Sequence, residues 1–447
     1  MNDNPDKNQS EPHLKVYLDR SILVGDSGQE EFLEGTLSQD AKQRLLKIKN
    51  ALKGGYFAQL IEECKRPDAL PGELPPEHLK LLERMVESVT SEVGRALVGL
   101  TLIQLCIKDI VPEQSIRLHK GGTNRSPVNF SWRDGIPMRS LDKDFFTPML
   151  RKNDLLRVNA DGVMMTRSLA ENYPYSKLYK AALRGAKEEW LEIVELLENA
   201  SLNPNVALRY MIAMLINRNE AFLTASQAMM GAVKKIVAAR PSARVVIDFI
   251  HQYVDRSDYS ARVFEIAMHS LYQALEDWGL LEGNLKPLSQ MRSANKKHGN
   301  IGDVEVTVGT GALEILEAWD GKYGKPYLRD ELEELSEKLQ NHMETKLVGF
   351  VVDREPLFKQ EIADRMQEIE DLYNVKVRIA GFDKWAYEML SLADNQNEIE
   401  KLASDWLIAF AESLGQLRRD RAPIDEPCNE WVKQLHQHAD LWVGRLI

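Results

Sequence analysis

Residues 302–331, GDVEVTVGTGALEILEAWDGKYGKPYLRDE, decide how this chain is to be read. Two short apolar runs, VEVTV and ALEILEAW, flank the turn GTGA at 309–312. β-branched and aromatic residues on either side of a glycine-rich turn predict an antiparallel hairpin. On a strand, side chains two apart share a face. Asp303 and Glu305 therefore fall together on the first arm, and Asp320 and Lys322 together on the second. Pairing of the arms would bring Asp303 level with the far end of the second, gathering two carboxylates and an ammonium at one rim. Glu317 should point to the other face. Glu314 shares the parity of Asp320, but six residues at about 3.3 Å each set it about 20 Å away.

Such a set of groups suits one chemistry. Mg²⁺ takes one or two carboxylates, keeps several waters and completes its shell with substrate phosphate. It acidifies a bound water and neutralises charge developing on phosphorus, while a nearby lysine stabilises the oxyanion and orients the nucleophile. Acids and lysines at strand ends also form ordinary surface ion pairs, and spacing alone does not separate the two readings.

The surrounding order of elements adds weight. A helix expected over Tyr259–Trp278 precedes the hairpin; an acidic helix (Tyr327–Met343), a strand (KLVGFVVD), a helix (Leu357–Tyr373) and a strand (VKVRIAG) follow it. That grammar predicts an α/β domain with a mixed sheet flanked by helices. Gly302-Asp303 and the later Asp320-Gly321-Lys322 resemble the signature of the PD-(D/E)xK nuclease superfamily, over roughly 100 residues. The resemblance implies a core of α, β, β, β, α, β, with a short first strand near Gln290–Ala294. It implies Asp303 and Asp320 as metal ligands and Lys322 as the catalytic lysine. A further catalytic and metal-facing acid, Glu265 in ARVFEIAMH, would lie on the first core helix. Glu305 is a candidate direct or indirect metal ligand. Two positions depart from the usual pattern: Asp320 stands where Glu is commoner, and Gly321 where an apolar residue is usual.

The chain has 447 residues, which points to two or three domains. Its three cysteines, Cys64, Cys106 and Cys428, form no C-x-x-C pair, so neither a zinc ribbon nor a disulfide framework is expected. No apolar run reaches the roughly 18–20 residues of a membrane span, and the polar start MNDNPDKNQSEPH has no signal-peptide core; the expectation is a cytoplasmic protein. Net charge is −11. That average hides two basic segments: Ser115–Arg157 with nine Lys/Arg against four Asp, and Lys286–Asn300 with four Lys/Arg and no acid. An acidic body with basic strips suits a binder of polyanions that releases nonspecific sites.

Four regions are expected: a polar tail and small helical appendage (1–75), a helical, winged-helix-like DNA-recognition region (76–240), the nuclease domain (241–395) and closing helices (396–447). The run from 77 to 110 reads as a long helix or a bent pair, and further helices fill 175–240. Within the second region, a helix beginning at an N-cap Ser140 precedes LLRVN, ADG and VMMTR, which read as strand, turn and strand. A helix followed by a hairpin ends a winged helix-turn-helix, and it also occurs as plain scaffolding. Lys143, Arg151 and Lys152 would meet phosphates or base edges, and Lys120, Asn124, Arg125, Arg133 and Arg139 carry donors that suit guanine and adenine edges. Arg292, Lys296 and Lys297, before Asp303, would hold the backbone beside the scissile bond, or form a solvated basic loop.

A DNA-recognition region before such a core resembles a type II restriction endonuclease, and is similar to the SacI-type family. The resemblance implies Mg²⁺-dependent cleavage of double-stranded DNA at a short sequence, leaving 5′-phosphate ends, by a homodimer. A nuclease of repair or transposition, and a non-catalytic winged-helix regulator, are the alternatives.

Overall fold

The computed structural model describes residues 12–25, 28–66, 72–89, 94–119, 131–165, 169, 173–287, 300–309, 314–415 and 427–446. It comprises two compact units, Met1–Ala221 and Phe222–Ile447. Among the described residues, no helix is long and apolar enough to cross a membrane.

The first unit opens with a three-stranded antiparallel sheet, β1 (His13–Val16), β2 (Arg20–Gly25) and β3 (Gly28–Leu33), where only a polar tail and small helices were expected. Its inner face is small: Leu23 and Phe32 pack on Leu118 and Trp132. Two buried side chains in strands as polar as GQEEFL leave little alternation to read. Helices α1 (Gln39–Lys53), α2 (Tyr56–Cys64), α3 (Pro76–Glu87) and α4 (Arg95–Ile110) follow, the last two standing where a long helix or a bent pair was expected. α4 is buried along nearly its whole length.

The basic helix is present but differs from expectation. α5 (Met138–Leu141), a π-helical turn (Asp142–Phe146) and α6 (Thr147–Lys152) run on from one another, starting after Pro137 rather than at Ser140. The wing is absent. No strand forms between 155 and 165, and Val163–Met165 is a single 3₁₀ turn; Thr166 and Arg167 lie outside the described residues. Asp142 supplies the reason. It is fully buried, and its carboxylate accepts from Thr147 Oγ1 at 2.7 Å and from the Met164 N–H at 3.0 Å. A backbone donor taken by a side chain is lost to a strand ladder. Gly162, at φ +102°, lies against the same carboxylate, where a β-carbon would collide.

α7 (Lys187–Glu198) begins about three turns later than the helix expected from Tyr175. Residues 175–186 are instead irregular, with the Tyr175 N–H donating to Arg117 O and Lys187 Nζ to Ala181 O. Two expected helices merge into α8 (Pro204–Ala238), which contains the division between the units; Pro241 lies just past its end.

The second unit continues with α9 (Ala243–Arg256) and α10 (Ser260–Asp277), then a five-stranded sheet in chain order: β4 (Asn284–Leu285), β5 (Val304–Val308), β6 (Glu314–Lys322), β7 (Leu347–Val352) and β8 (Lys376–Gly381). β4–β5 and β5–β6 are antiparallel; β6–β7 and β7–β8 are parallel. α11 (Arg329–Leu339) and α12 (Gln360–Tyr373) supply the two crossovers, and α13 (Phe382–Leu390), α14 (Gln396–Leu414) and α15 (Cys428–Leu446) close the chain. The expected first strand at Gln290–Ala294 lies outside the described residues; β4 is the strand beside β5.

Alternation sorts this sheet between two cores. Val304, Val306, Trp319 and Val351 join α9, α10, α13, α14 and α15, while Ala318, Val348, Phe350 and Val352 join α11 and α12. The parallel strands are apolar on both faces because both are covered. A bulge between Val306 and Thr307 moves Ile315 to the α11 face with Ala318.

Candidate active site

The deciding geometry comes from register. Val304 pairs with Trp319, and the Asp303 N–H also donates to Trp319 O at 2.8 Å, so Asp303 stands just before β5, at the end of β6 that carries Asp320. Asp320 and Lys322, two apart on β6, share the face that α11 covers. Of the three residues singled out, Asp303 meets Asp320, and Asp320 pairs with Lys322.

Asp303 is half-buried, and Asp320 is buried. One Asp303 oxygen, Oδ2, accepts from the Gly321 N–H at 3.0 Å. Burial pushes the Asp303 carboxyl well above the usual carboxylate range, and the negative charges of Glu265 and Asp320, with a hydrogen bond to Asp320, push the same way. Glu265 on α10 therefore acts at the same place. One of its oxygens holds Arg262 at 2.5 Å. Gly321 explains itself here: on the face opposite Lys322, a β-carbon would meet Met268 Sδ at 3.0 Å and the Phe264 ring at 3.1 Å. Glycine lets α10 lie close against the strand, which carries Glu265 toward Asp303.

Lys322 Nζ stands 3.0 Å from Asp320 Oδ2 and 3.0 Å from Glu331 Oε2. Partial burial works against its charge, but these two carboxylates prevail and hold the ammonium above its ordinary range. Glu331, in the first turn of α11, is held in turn by Lys325 Nζ at 2.8 Å. The two lysines keep its carboxyl below the usual range despite burial. Neither Glu331 nor Lys325 was singled out from sequence. Acids at the start of a helix are what the helix dipole favours anywhere, so Asp330-Glu331 carried no distinctive signal.

Glu305 does not join the set. Its Oε1 accepts from the backbone N–H of Ile301 at 2.6 Å and of Gly302 at 3.3 Å, and its Oε2 from Lys286 Nζ at 2.7 Å. It shares the parity of Asp303, yet both oxygens are spent securing the 300–302 turn. Glu317 faces α10 as expected, accepting from the Tyr272 hydroxyl and from Trp319 Nε1.

The basic segments divide. Lys286 is consumed by Glu305 and Asn300, and Arg117 is buried against Glu195 at 2.7 Å. Arg133, Arg139, Lys143, Arg151 and Lys152 are exposed. Lys120, Asn124, Arg125, Arg292, Lys296 and Lys297 lie outside the described residues. Among the described residues no group of three His, Cys, Asp or Glu side chains forms a metal cage. The donor set that does meet, two interacting aspartates with Glu265 close enough to raise one of them, fits a hard cation that needs only one or two carboxylates. No protein-family model matches the chain, and no curated protein matches it.

Proposed function

We propose that the second unit is a Mg²⁺-dependent phosphodiesterase acting on double-stranded DNA, a site-specific endonuclease of the PD-(D/E)xK type. The observation that carries this reading is the meeting of Asp303 and Asp320 at one end of the β5–β6 hairpin, with Lys322 paired to Asp320 and Glu265 acting on Asp303. The order α10, β4, β5, β6, α11, β7, with antiparallel then parallel pairing, supports it.

Asp303 and Asp320 would hold the cation, with Glu265 as the third acid. When bound, Mg²⁺ supplies an acidified water and charge neutralisation at phosphorus. The Gly321 N–H fixes Asp303 by its Oδ2 oxygen. The Lys322 ammonium neutralises and orients a phosphate oxygen or the attacking water. Exposed Arg133, Arg139, Lys143, Arg151 and Lys152 would serve DNA contact from the helical region without a wing. A palindromic target would be cut by a homodimer, since each strand needs its own active site.

The test is incubation of purified protein with supercoiled plasmid, with Mg²⁺ and then with EDTA. Discrete fragments bearing 5′-phosphates, seen only with Mg²⁺, are the expected result. A smear would move the assignment to an unspecific or partner-guided nuclease. Intact plasmid under Mg²⁺, Mn²⁺ and Co²⁺ would remove it.

A further inference from the structure

Lys322 has two ion-pair partners, Asp320 and Glu331, each 3.0 Å from its ammonium. The arrangement is confined. The Lys322 side chain is 17% exposed, Asp320 9% and Glu331 12%, and the ammonium lies 6.0 Å from the Phe350 ring centre. Lys325, by contrast, is 61% exposed and reaches Glu331 from outside at 2.8 Å. The chain of two acids and two lysines is thus four charges deep, in the order Asp320, Lys322, Glu331, Lys325. The innermost carboxylate is the one a divalent cation must take.

A cation on Asp320 competes with Lys322 for the same lone pairs, and two positive centres on one carboxylate repel. The ammonium must then lean on another anion or be left partly buried without one, which is costly. On the nuclease reading of the site, we infer that Glu331 is a positioning residue that draws Lys322 off Asp320 when a divalent cation binds. It keeps the ammonium beside the reacting phosphate while freeing the Asp320 oxygen. Lys325 competes with Lys322 for Glu331 and so tunes the exchange.

The inference concerns metal affinity before any chemistry, and it is tested without DNA. Mn²⁺ is titrated into the full chain, and free Mn²⁺ is followed by electron paramagnetic resonance. Glu331→Gln should raise the dissociation constant about fivefold, the scale of one partly exposed ion pair. The decisive arm repeats Glu331→Gln in a Lys322→Met background. With no ammonium to reposition, the substitution should then have little effect. Lys325→Met, which leaves Glu331 wholly to Lys322, should tighten binding by about twofold. Thermal melts of each variant establish that it folds, and Lys325→Met, at an exposed position, keeps the test open if Glu331→Gln does not.

An equal loss on Glu331→Gln in both backgrounds would show that Glu331 acts only by its own charge, and would overturn the inference. So would weaker binding in Lys325→Met. These results leave the nuclease reading in place if Asp320→Asn abolishes Mn²⁺ binding. A native chain that binds no Mn²⁺, or an Asp320→Asn variant that binds it unchanged, removes the reading and the inference together.

Discussion

Segments 139–165 and 302–331 share a local grammar, two short apolar runs about a glycine-containing turn, yet only the second folds as a hairpin. Its first arm, β5, is buried nearly throughout, and its second, β6, divides its side chains between two helical layers. Tertiary burial pays for the ladder there. In the first segment the flanking helix already supplies a partner: Asp142 accepts the Met164 N–H, and the Val163–Met165 backbone coils around it. Turn residues announce a reversal; whether strands form depends on what covers both faces of them.

Each segment centres on a carboxyl raised by burial, Asp142 in one and Asp303 in the other. Their surroundings differ in kind. Asp142 is met by donors, Thr147 Oγ1 and the Met164 N–H. Asp303 is met by one donor, Gly321 N–H, and by two further acids. The first arrangement is built to hold structure, and the second to receive positive charge.

Substitutions can break this contrast, and the largest effect is expected at the hairpin. Lys322→Ala should lower DNA cleavage by about a hundredfold or more, the scale of removing one group that stabilises developing charge. DNA binding, followed by fluorescence anisotropy without a divalent ion, should remain measurable. Unchanged turnover would make the hairpin rim an ordinary ion pair.

Asp142→Ala should destabilise by about 2–3 kcal/mol, from a small cavity and two stranded hydrogen-bond donors. Urea denaturation followed by tryptophan fluorescence measures it, provided the unfolding of the first unit is resolved from that of the second. A neutral result would mean the 163–165 turn stands without its tether, and would leave the missing wing unexplained.

The contrast also marks what could be read in advance. The hairpin, both parallel strands and the shared face of Asp320 and Lys322 follow from period-2 alternation in continuous runs, a signal internal to the segment. The roles of Glu331 and Glu305 do not. Glu331 reaches Lys322 only because α11 crosses back over β6, and Glu305 leaves the site only because Lys286 and two backbone donors claim it. Both facts depend on partners from elsewhere in the chain. β1–β3 stayed hidden because their shared core is a few side chains. The wing was misread because a buried acid, which sequence marks as a polar helix start, became the hub of a loop.

The smallest expected effect is the sharpest discriminator, because neutralising Asp303 relieves crowding with other acids, whereas truncating Asp142 strands hydrogen-bond donors. An unfolded aspartate titrates near 3.9. Asp303 titrates well above that in the native state, so the native state holds a proton that the unfolded chain has released. Stability therefore falls as pH rises from the ordinary carboxylate range until the raised native value is passed, and stays low beyond it. Asn copies the protonated form without that dependence. Asp303→Asn, melted without divalent ions, should gain about 1 kcal/mol at neutral pH, and the gain should shrink as pH approaches 4. Millimolar Mg²⁺ should narrow the difference, since a cation bound at the paired aspartates would stabilise the native chain and not the variant. Destabilisation on Asp303→Asn, as expected for Asp142→Ala, would place both carboxyls in the same structural class and leave the hairpin rim without its distinguishing charge.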